Sequence, residues 1–463
     1  MAPLFPFGWE RILRAEQPPS VTSPGKPGAS WRTRLPFFYG WVVVGSAFLN
    51  EALAFGVYYS FSVFFVALLQ DFGWSRAATA GVFSVFVLVS GLMGVAAGAL
   101  TDRFGPSKLV PVGAGLMALG LLASSRLTQL WQFYLFFGVV TGVGHSLCGW
   151  VPTVAVVGRW FSIKRGVALG IAGAGIGLGI VVMVPLCQYI ISGLGWRTAY
   201  QVLAMALLVV VAPQAALLQV RRPQDLGLKP DGQAGDQLPK ALQKPPSTTV
   251  IKVVDEKWAT FPWSAASALR TARFWFLAAN FCLTSVYNQM LWAHEVAYLV
   301  DVGYEKMLAA SATGLSGLVS MPSKILWGAA SDRLGRELAF TLGIVSAFVA
   351  ILVLVAVGMV PSVPLVFLFV FLFGAGYAVS APVLPAAAAD IFVGRNFGSI
   401  YGVLFVGTSI GSAVGPFLAG YVFDVTGSYL AAFAVAAASS CIAALCMWLA
   451  APRKVRRVAR GGF

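Results

Sequence analysis

One charged side chain interrupts an otherwise apolar stretch of small residues. Lys324 lies within residues 307–330, a run of 24 residues, and about 20 apolar residues suffice for a helix to span a bilayer. It precedes Asp332 by eight residues, which places it about 12 Å inside that end of a helix. A lysine at this depth should face a bundle interior or a water-filled cavity. The pattern indicates an anion-binding cation in a transport pathway; the alternative is an ammonium group that snorkels to the interface.

A single carboxylate is placed well inside another apolar segment. Glu51 lies 12 residues after Tyr39, about 18 Å along a helix. A carboxyl group without a partner at that depth can bind and release a proton, so Glu51 is the candidate proton-coupling residue. The alternative is a structural ion pair or a neutral, hydrogen-bonded acid.

The stretch around Lys324 belongs to an internal repeat. Asp-x-Gly followed by an aromatic residue occurs at 71–74 and 301–304, and Gly-x-x-x-Asp-Arg-x-Gly occurs at 98–105 and 328–335, all at a constant offset of 230 residues. Two homologous halves with a substrate site between them near the midplane are implied. The residue that matches Lys324 in the first half is a glycine, Gly94, so the cation belongs to one half only.

The repeated Asp-Arg pairs lie at corresponding helix ends. We expect these four residues to form charge-assisted hydrogen bonds between neighbouring helices that hold the outward-facing state shut. The gating candidates are Asp102, Arg103, Asp332 and Arg333.

Composition indicates a polytopic membrane protein. Of 463 residues, 58% are hydrophobic and only 11% are charged, whereas soluble chains carry about 25% charged residues. The five cysteines and two histidines have no metal-ligand spacing, and neither paired carboxylates nor a nucleophile motif occurs. We therefore expect no cofactor, no metal and no enzymatic activity.

Twelve apolar segments are predicted in an all-α membrane fold of two pseudo-symmetric six-helix halves. They cover residues 38–69, 77–100, 108–125, 131–157, 166–193, 198–219, 274–299, 307–330, 338–360, 363–390, 398–423 and 429–450. The expected organisation is a cytoplasmic tail (1–37), an N-terminal half (38–220), a cytoplasmic linker (221–273) with a surface helix near 258–269, a C-terminal half (274–450) and a basic cytoplasmic tail (451–463).

The basic residues give the expected orientation. Of 32 lysines and arginines, 27 fall in the two tails, the linker and alternate loops, and four fall in the opposite loops. This asymmetry predicts that both termini and the linker are cytoplasmic, in the inner membrane. The net charge of +15 is thus an orientation signal, and no soluble basic domain is present that could bind nucleic acid. We expect a monomer in the lipid bilayer.

The repeated Gly-x-x-x-Asp-Arg-x-Gly motif resembles the cytoplasmic loop motif of the major facilitator superfamily. Within it, residues 159–175 (RWFSIKRGVALGIAGAG) resemble the fifth-helix signature of monocarboxylate transporters. Residues 71–76, 222–232 and 395–401 are similar to its bacterial members and to the oxalate–formate antiporters.

This resemblance implies a set of substrate-binding positions. The family carries an arginine on helix eight where this chain has Lys324, and an aspartate or asparagine one turn earlier where this chain has Ser320. Mammalian members carry a lysine on helix one where this chain has Tyr59. Further candidates in the family's contact regions or on segment seven are Trp150, Tyr377, Tyr287 and Asn288.

Together these features predict a secondary transporter for small organic anions, monocarboxylates above all, that works by alternating access. A proton or a counter-anion should accompany the carboxylate substrate. The alternatives are an anion exchanger of the oxalate–formate type and a sensor on the same fold that transports nothing.

Overall fold

The structure, a computed structural model, describes residues 32, 35–161, 164–232, 251–392 and 397–458. Most of the predicted N-terminal tail, the middle of the linker, Arg395 of the 395–401 motif and the last five residues lie outside the described part of the chain.

The first half contains six long helices. They are α1 (Gly40–Phe72), α2 (Arg76–Phe104), α3 (Pro106–Ser124), α4 (Leu130–Trp160) and a helical run Arg165–Ala206 that continues to Leu218. Gly195 has φ 84° and ψ 161°, which breaks that run, so residues 165–194 are α5 and residues 196–218 are α6. Helix α4 contains a π-helical stretch, Tyr134–Thr141, and a break at Gly149.

The second half repeats this arrangement. Its helices are α7 (Ala272–Asp301), α8 (Lys306–Leu334), α9 (Arg336–Met359), α10 (Val363–Ile391), α11 (Phe397–Thr426) and α12 (Leu430–Ala450). Helix α10 is divided at Val379. The chain therefore has the predicted twelve-helix architecture, and each predicted segment corresponds to one helix.

The protein crosses the membrane several times. By length and composition alone, nine helical stretches of the described residues could span a bilayer, one of which covers both α5 and α6. Helices α7 and α8 are long enough but are not among the nine. They are the least apolar of the twelve because they carry the buried amides, hydroxyls and ionisable groups described below.

The repeated loop motif has the same backbone conformation in both halves. Gly105 (φ 81°, ψ 159°) separates α2 from α3, and Gly335 (φ 93°, ψ 159°) separates α8 from α9. Residues with a side chain rarely adopt such a positive φ. A glycine is therefore needed at this position in each repeat for the sharp turn between the two helices.

The described parts of the linker pack on the second half. Two short helices, Glu256–Thr260 and Ala265–Ala268, lie where a surface helix was expected. The indole Nε1–H of Trp258 donates to the Ile391 carbonyl at the end of α10 (2.9 Å). Two short strands, β1 (Ile251–Val253) and β2 (Arg456–Val458), form an antiparallel ribbon between the linker and the C-terminal tail.

The two halves contact each other on the side opposite the chain termini, and they separate towards the side of the termini. Along α5 and α8, contacts run from Pro185 against Gly314 to Met321 against Gly177. About two turns further towards the termini, a methyl group added at Gly170 would meet nothing within 4 Å. The structure is therefore open on the side of the termini, which we call the terminal side, and closed on the opposite side, which we call the far side.

The other pair of helices at the junction between the halves shows the same transition. A methyl group added at Gly91 of α2 would collide with Ser409 of α11, whereas one added at Gly402, about two turns further towards the terminal side, would meet nothing within 4 Å. Both helix pairs thus diverge near the middle of the bundle.

Candidate functional site

Lys324 lies close to the point at which the halves part. It follows Met321, which lies against Gly177 of α5, by about one turn. Its side chain is partly exposed, and its Nζ lies 5.6 Å from the centroid of the Tyr377 ring. Within the described part of the chain it forms no ion pair. A cation in this position, over an aromatic face and without a carboxylate partner, is available to an anion.

Two tyrosines from opposite halves meet beside Lys324. The hydroxyl groups of Tyr59 on α1 and Tyr377 on α10 are 2.8 Å apart, although the residues are 318 positions apart in the sequence. The Trp292 ring of α7 packs against both, with centroid distances of 4.8 Å and 5.3 Å. The structure thus brings three predicted residues, Lys324, Tyr59 and Tyr377, into one group.

A polar cavity of about 180 Å³ adjoins this group. It lies between α7, α10 and α11, so it belongs to the second half. Tyr377 and Asn288, both predicted from the sequence, line it. Nine of its 14 lining residues carry a hydroxyl or amide group, so hydrogen-bonding groups are available between the apolar parts of its wall.

Three other predicted contacts lie outside the cavity wall. The Ser320 hydroxyl is buried and donates to the Gly317 carbonyl in its own helix (2.7 Å). Tyr287 is fully buried in the core, and its hydroxyl has no hydrogen-bond partner. The Trp150 ring lies against Gly173 of α5. A substrate role for these three therefore has less geometric support and stays a prediction.

Glu51 is buried within the first half. Its side chain is fully inaccessible, and neither carboxyl oxygen has a hydrogen-bond partner in the part of the chain that the structure describes. Thr153 of α4 is its polar neighbour, but outside hydrogen-bonding geometry. A charged carboxylate without partners is costly in such surroundings, because burial removes its hydration. The predicted mid-segment acid is thus present, with no ion pair to fix its charge among the residues that the structure describes.

A second acid of this kind was missed by sequence reasoning. Glu295 on α7 is 1% exposed, and both of its carboxyl oxygens also lack a partner. The predicted segment ended at residue 299, which placed Glu295 near a helix end, whereas α7 continues to Asp301. Counting every carboxylate inside an apolar segment, whatever its distance from the end, would have identified it.

The two histidines of the chain differ in how many of their ring nitrogens have a hydrogen-bond partner. His294 has both ring nitrogens engaged, with the Tyr429 hydroxyl (3.0 Å) and the Pro416 carbonyl (2.8 Å). His145 has Nδ1 2.8 Å from the Ser90 hydroxyl, and its Nε2 has no partner. His294 is therefore a structural link between α7, α11 and α12.

The predicted gating residues make contacts within their own halves. Asp102 on α2 pairs with Arg159 on α4. Asp332 on α8 pairs with Arg336 (2.6 Å), which also pairs with the buried Asp390 of α10 (2.9 Å). Each half thus has an ion pair between neighbouring helices at its terminal end. Whether these pairs hold a particular state shut stays a prediction.

The arginines of the two motifs interact less closely with neighbouring side chains than the aspartates do. Arg103 and Arg333 are both exposed. The guanidinium of Arg103 lies 5.2 Å from the centroid of the Phe104 ring. A gating role therefore has more geometric support for the aspartates than for the arginines.

The far side is closed by a cluster around Arg76 that sequence reasoning missed. The Arg76 guanidinium pairs with Asp301 (2.7 Å and 2.9 Å) and donates to the Tyr429 hydroxyl (2.6 Å). The backbone N–H groups of Arg76 and Ala77 donate to the Asp424 carboxylate (2.8 Å and 2.7 Å). Arg76 begins α2, whereas its three partners belong to the second half. We call these five residues the far-side latch.

The internal sequence repeat contains a pattern that could have indicated the far-side latch. Arg76 and Lys306 occupy matching positions at the same offset of 230 residues, and both reach across to the other half. The Lys306 ammonium group donates to the Gln70 side chain at the end of α1 (2.7 Å). A cation that recurs in both repeats at the start of a helix could have been predicted to face the opposite half.

Comparisons with known proteins agree with this architecture. The sequence profile described as Major Facilitator Superfamily matches residues 47–360 and 296–462. The chain is similar in structure to a bacterial homolog of the human lysosomal transporter Spinster in its inward-facing, unoccupied conformation (TM-score 0.65, 17% identity, covering 90% of this chain and 98% of that one). The protein is therefore a membrane transporter of the major facilitator superfamily, and it is not an enzyme.

Sequence relatives define the family more narrowly. The chain is 32% identical over 409 residues to Monocarboxylate transporter 13 of Bos taurus, covering 86% of each chain. It is 26% identical over 416 residues to Monocarboxylate transporter 12 of Rattus norvegicus, covering 89% of this chain and 84% of the relative. The chain belongs to the monocarboxylate transporter family.

Proposed function

We propose that the protein is a secondary active transporter of small monocarboxylates and that Lys324 binds the carboxylate. The observation that carries this proposal is an ammonium group that has no ion-pair partner among the described residues. It lies at the point where the halves part, beside two tyrosine hydroxyls that meet across them. A compact cation can neutralise a carboxylate, and hydroxyl donors can complete its hydrogen bonds. The names of the relatives support an organic anion as cargo.

A single positive charge favours a monoanion over a dianion. Helix α11 contains no lysine, arginine, aspartate or glutamate before Asp424 at its far end. A dicarboxylate in the same site would leave one of its charges unpaired, which is costly away from water. Monocarboxylates are therefore the preferred class.

Alternating access is supported by the unequal ends of the bundle. The excess of basic residues on the terminal side supports a cytoplasmic location for both termini, the linker and the terminal opening, in a cytoplasmic membrane. On that assignment the structure represents the inward-facing state, with the far-side latch closed. The outward-facing state requires the latch to break and the terminal ends to come together.

A titratable group is needed if the anion is to accumulate. Moving one negative charge into an electrically negative cytoplasm costs about 2.3 kcal/mol per 100 mV, and a co-transported proton removes this cost. Glu51, buried without a partner on α1, is our candidate for the residue that carries the proton.

Net flux in sealed proteoliposomes tests this proposal. We expect the wild-type chain to accumulate a labelled monocarboxylate above the level of empty liposomes when only an inward proton gradient is imposed. Glu51→Gln should abolish that accumulation but preserve counterflow exchange, because an amide fills the same space without binding a proton. Thr153→Val, which alters the neighbour of Glu51 and keeps the acid, serves as the control.

Other results would redirect the proposal. Uptake that ignores pH but requires an internal anion would identify an exchanger, and binding without any flux would identify a sensor. Gradient-driven accumulation by Glu51→Gln would remove Glu51 from the coupling, leaving Glu295 and His145 as the next groups to test.

A further inference from the structure

We infer that the cavity between α7, α10 and α11 binds the hydroxyl-bearing chain of the substrate, so that the carrier selects a polyhydroxylated monocarboxylate over an alkyl monocarboxylate of the same length. The inference rests on the proposed function, since it takes the carboxylate to lie on Lys324.

The α7 wall of the cavity carries unsatisfied polar atoms. Thr284, Asn288 and Gln289 are 2%, 4% and 9% exposed, and Thr284 Oγ1, Asn288 Oδ1 and Gln289 Oε1 are buried without a hydrogen-bond partner. Thr284 and Asn288, four residues apart, lie on one face of the helix, and Gln289, about 100° further around the helix, also lines the cavity. Unpaired buried atoms destabilise a protein, and three such atoms on residues that line one cavity favour an occupant to which these side chains can turn and form hydrogen bonds.

The α11 wall extends the same chemistry. Thr408 and Ser412, one turn apart, both line the cavity. Amides both donate and accept hydrogen bonds, and hydroxyls do the same. The two walls therefore suit a chain whose carbons each carry a hydroxyl group, since every such hydroxyl can donate to one wall and accept from the other.

The cavity has the right size and position for such a chain. The volume of about 180 Å³ equals that of roughly six water molecules. This is enough space for a short chain that carries hydroxyl groups. Tyr377 lines the cavity, and Lys324 lies 5.6 Å from the centroid of its ring. A carboxylate on Lys324 can thus direct the remaining chain past Tyr377 into the cavity.

Selectivity follows from the unpaired atoms. A site built to bind a hydroxyl group rejects an analogue without it, because the buried polar atoms of the site are then left unpaired. An alkyl chain would leave Thr284, Asn288 and Gln289 in that state. A polyhydroxylated chain would satisfy them.

Gluconate and hexanoate are matched probes, because each has six carbons and one carboxylate and only gluconate carries hydroxyls. We propose to measure their affinities for the purified full-length chain in detergent, from the ligand-dependent shift in its melting temperature. Gluconate should bind at least tenfold more tightly than hexanoate, since several hydrogen bonds distinguish the two probes.

Two substitutions in the cavity and one control complete the experiment. Asn288→Leu and Thr284→Val should each weaken gluconate binding by about tenfold and leave hexanoate binding unchanged or stronger. Thr141→Val removes a buried threonine hydroxyl of the first half, which donates to the Phe136 carbonyl, and should leave the preference unchanged. A parallel measurement on Lys324→Gln reports on the carboxylate site itself.

The possible outcomes distinguish the inference about the cavity from the proposed function. Hexanoate binding as tightly as gluconate, or no gluconate binding, would overturn the inference about the cavity. A preference for gluconate that survives both cavity substitutions would overturn it as well. Equal binding by Lys324→Gln and the wild type would instead contradict the proposed function.

Discussion

The two ends of the bundle use charged residues in opposite ways. At the far end, the Arg76 guanidinium of the first half pairs with Asp301 of the second half, and the backbone N–H of Arg76 donates to Asp424. The Lys306 ammonium group of the second half donates to the Gln70 side chain of the first. At the terminal end, Asp102 and Asp332 pair with arginines of their own halves. The far-end contacts therefore join the halves, whereas the terminal-end contacts join helices within each half.

This difference shows which contacts have to change during transport. Opening the far side must break the bonds of Arg76, whereas closing the terminal side can leave the pairs of Asp102 and Asp332 in place and bring intact helix groups together. Arg76 and Lys306 occupy matching positions in the two halves, and so do Asp102 and Asp332. Each half therefore contributes one contact of each kind. We therefore expect the far-side latch to be the stronger determinant of the state seen here.

Breaking the latch should have the largest effect on this balance. Arg76→Gln removes the ion pair with Asp301 and the bond to Tyr429, and should shift the population towards the far-side-open state by about tenfold, or about 1.4 kcal/mol. Spin labels at Leu194→Cys and Leu430→Cys, both exposed near the far end, in a background without the native cysteines, should report a longer distance by pulsed electron resonance.

A matched substitution at the same end controls for loss of charge alone. Arg197 pairs with Asp71 (3.1 Å) entirely within the first half. Arg197→Gln should leave the distance distribution as in the wild type. Identical distributions for Arg76→Gln and the wild type would show that the latch does not hold the far side shut.

Weakening the terminal-end pairs should have a smaller effect. Exposed ion pairs contribute about 0–1 kcal/mol, and the Asp102 and Asp332 carboxylates are both well exposed. Asp102→Asn and Asp332→Asn should therefore change the labelling rate of cysteines introduced on the terminal side less than about fivefold. Lys108→Gln, a charge change at the same end, is the control. Unchanged labelling together with unchanged transport would argue against any gating role.

The sequence predicted the framework and the central candidate residue of the site. Apolar segments and the constant offset of 230 residues were enough for twelve helices in two halves, because membrane spanning imposes length and composition on each helix. Lys324 stood out for the same reason, since a charge inside such a segment is rare.

Other parts of the site depend on packing that no local pattern records. The meeting of Tyr59 with Tyr377 joins residues 318 positions apart, and Ser320, which shares a helix with Lys324, turns its hydroxyl back to its own backbone. Similarly, the partners of Arg76 come from α7, from α11 and from the residue that precedes α12 in the other half. Such contacts follow from how the halves dock, which spacing within one helix cannot show.

The most direct test of the account is uptake by substitutions at Lys324 in proteoliposomes, measured with a labelled monocarboxylate that the wild-type chain transports. Lys324→Ala and Lys324→Gln should abolish specific uptake while the protein remains folded and inserted. Lys324→Arg should keep part of it because the charge is retained. Lys108→Gln controls for loss of one positive charge outside the site. Uptake at the wild-type rate by the two neutral variants would contradict the claim that Lys324 binds the carboxylate.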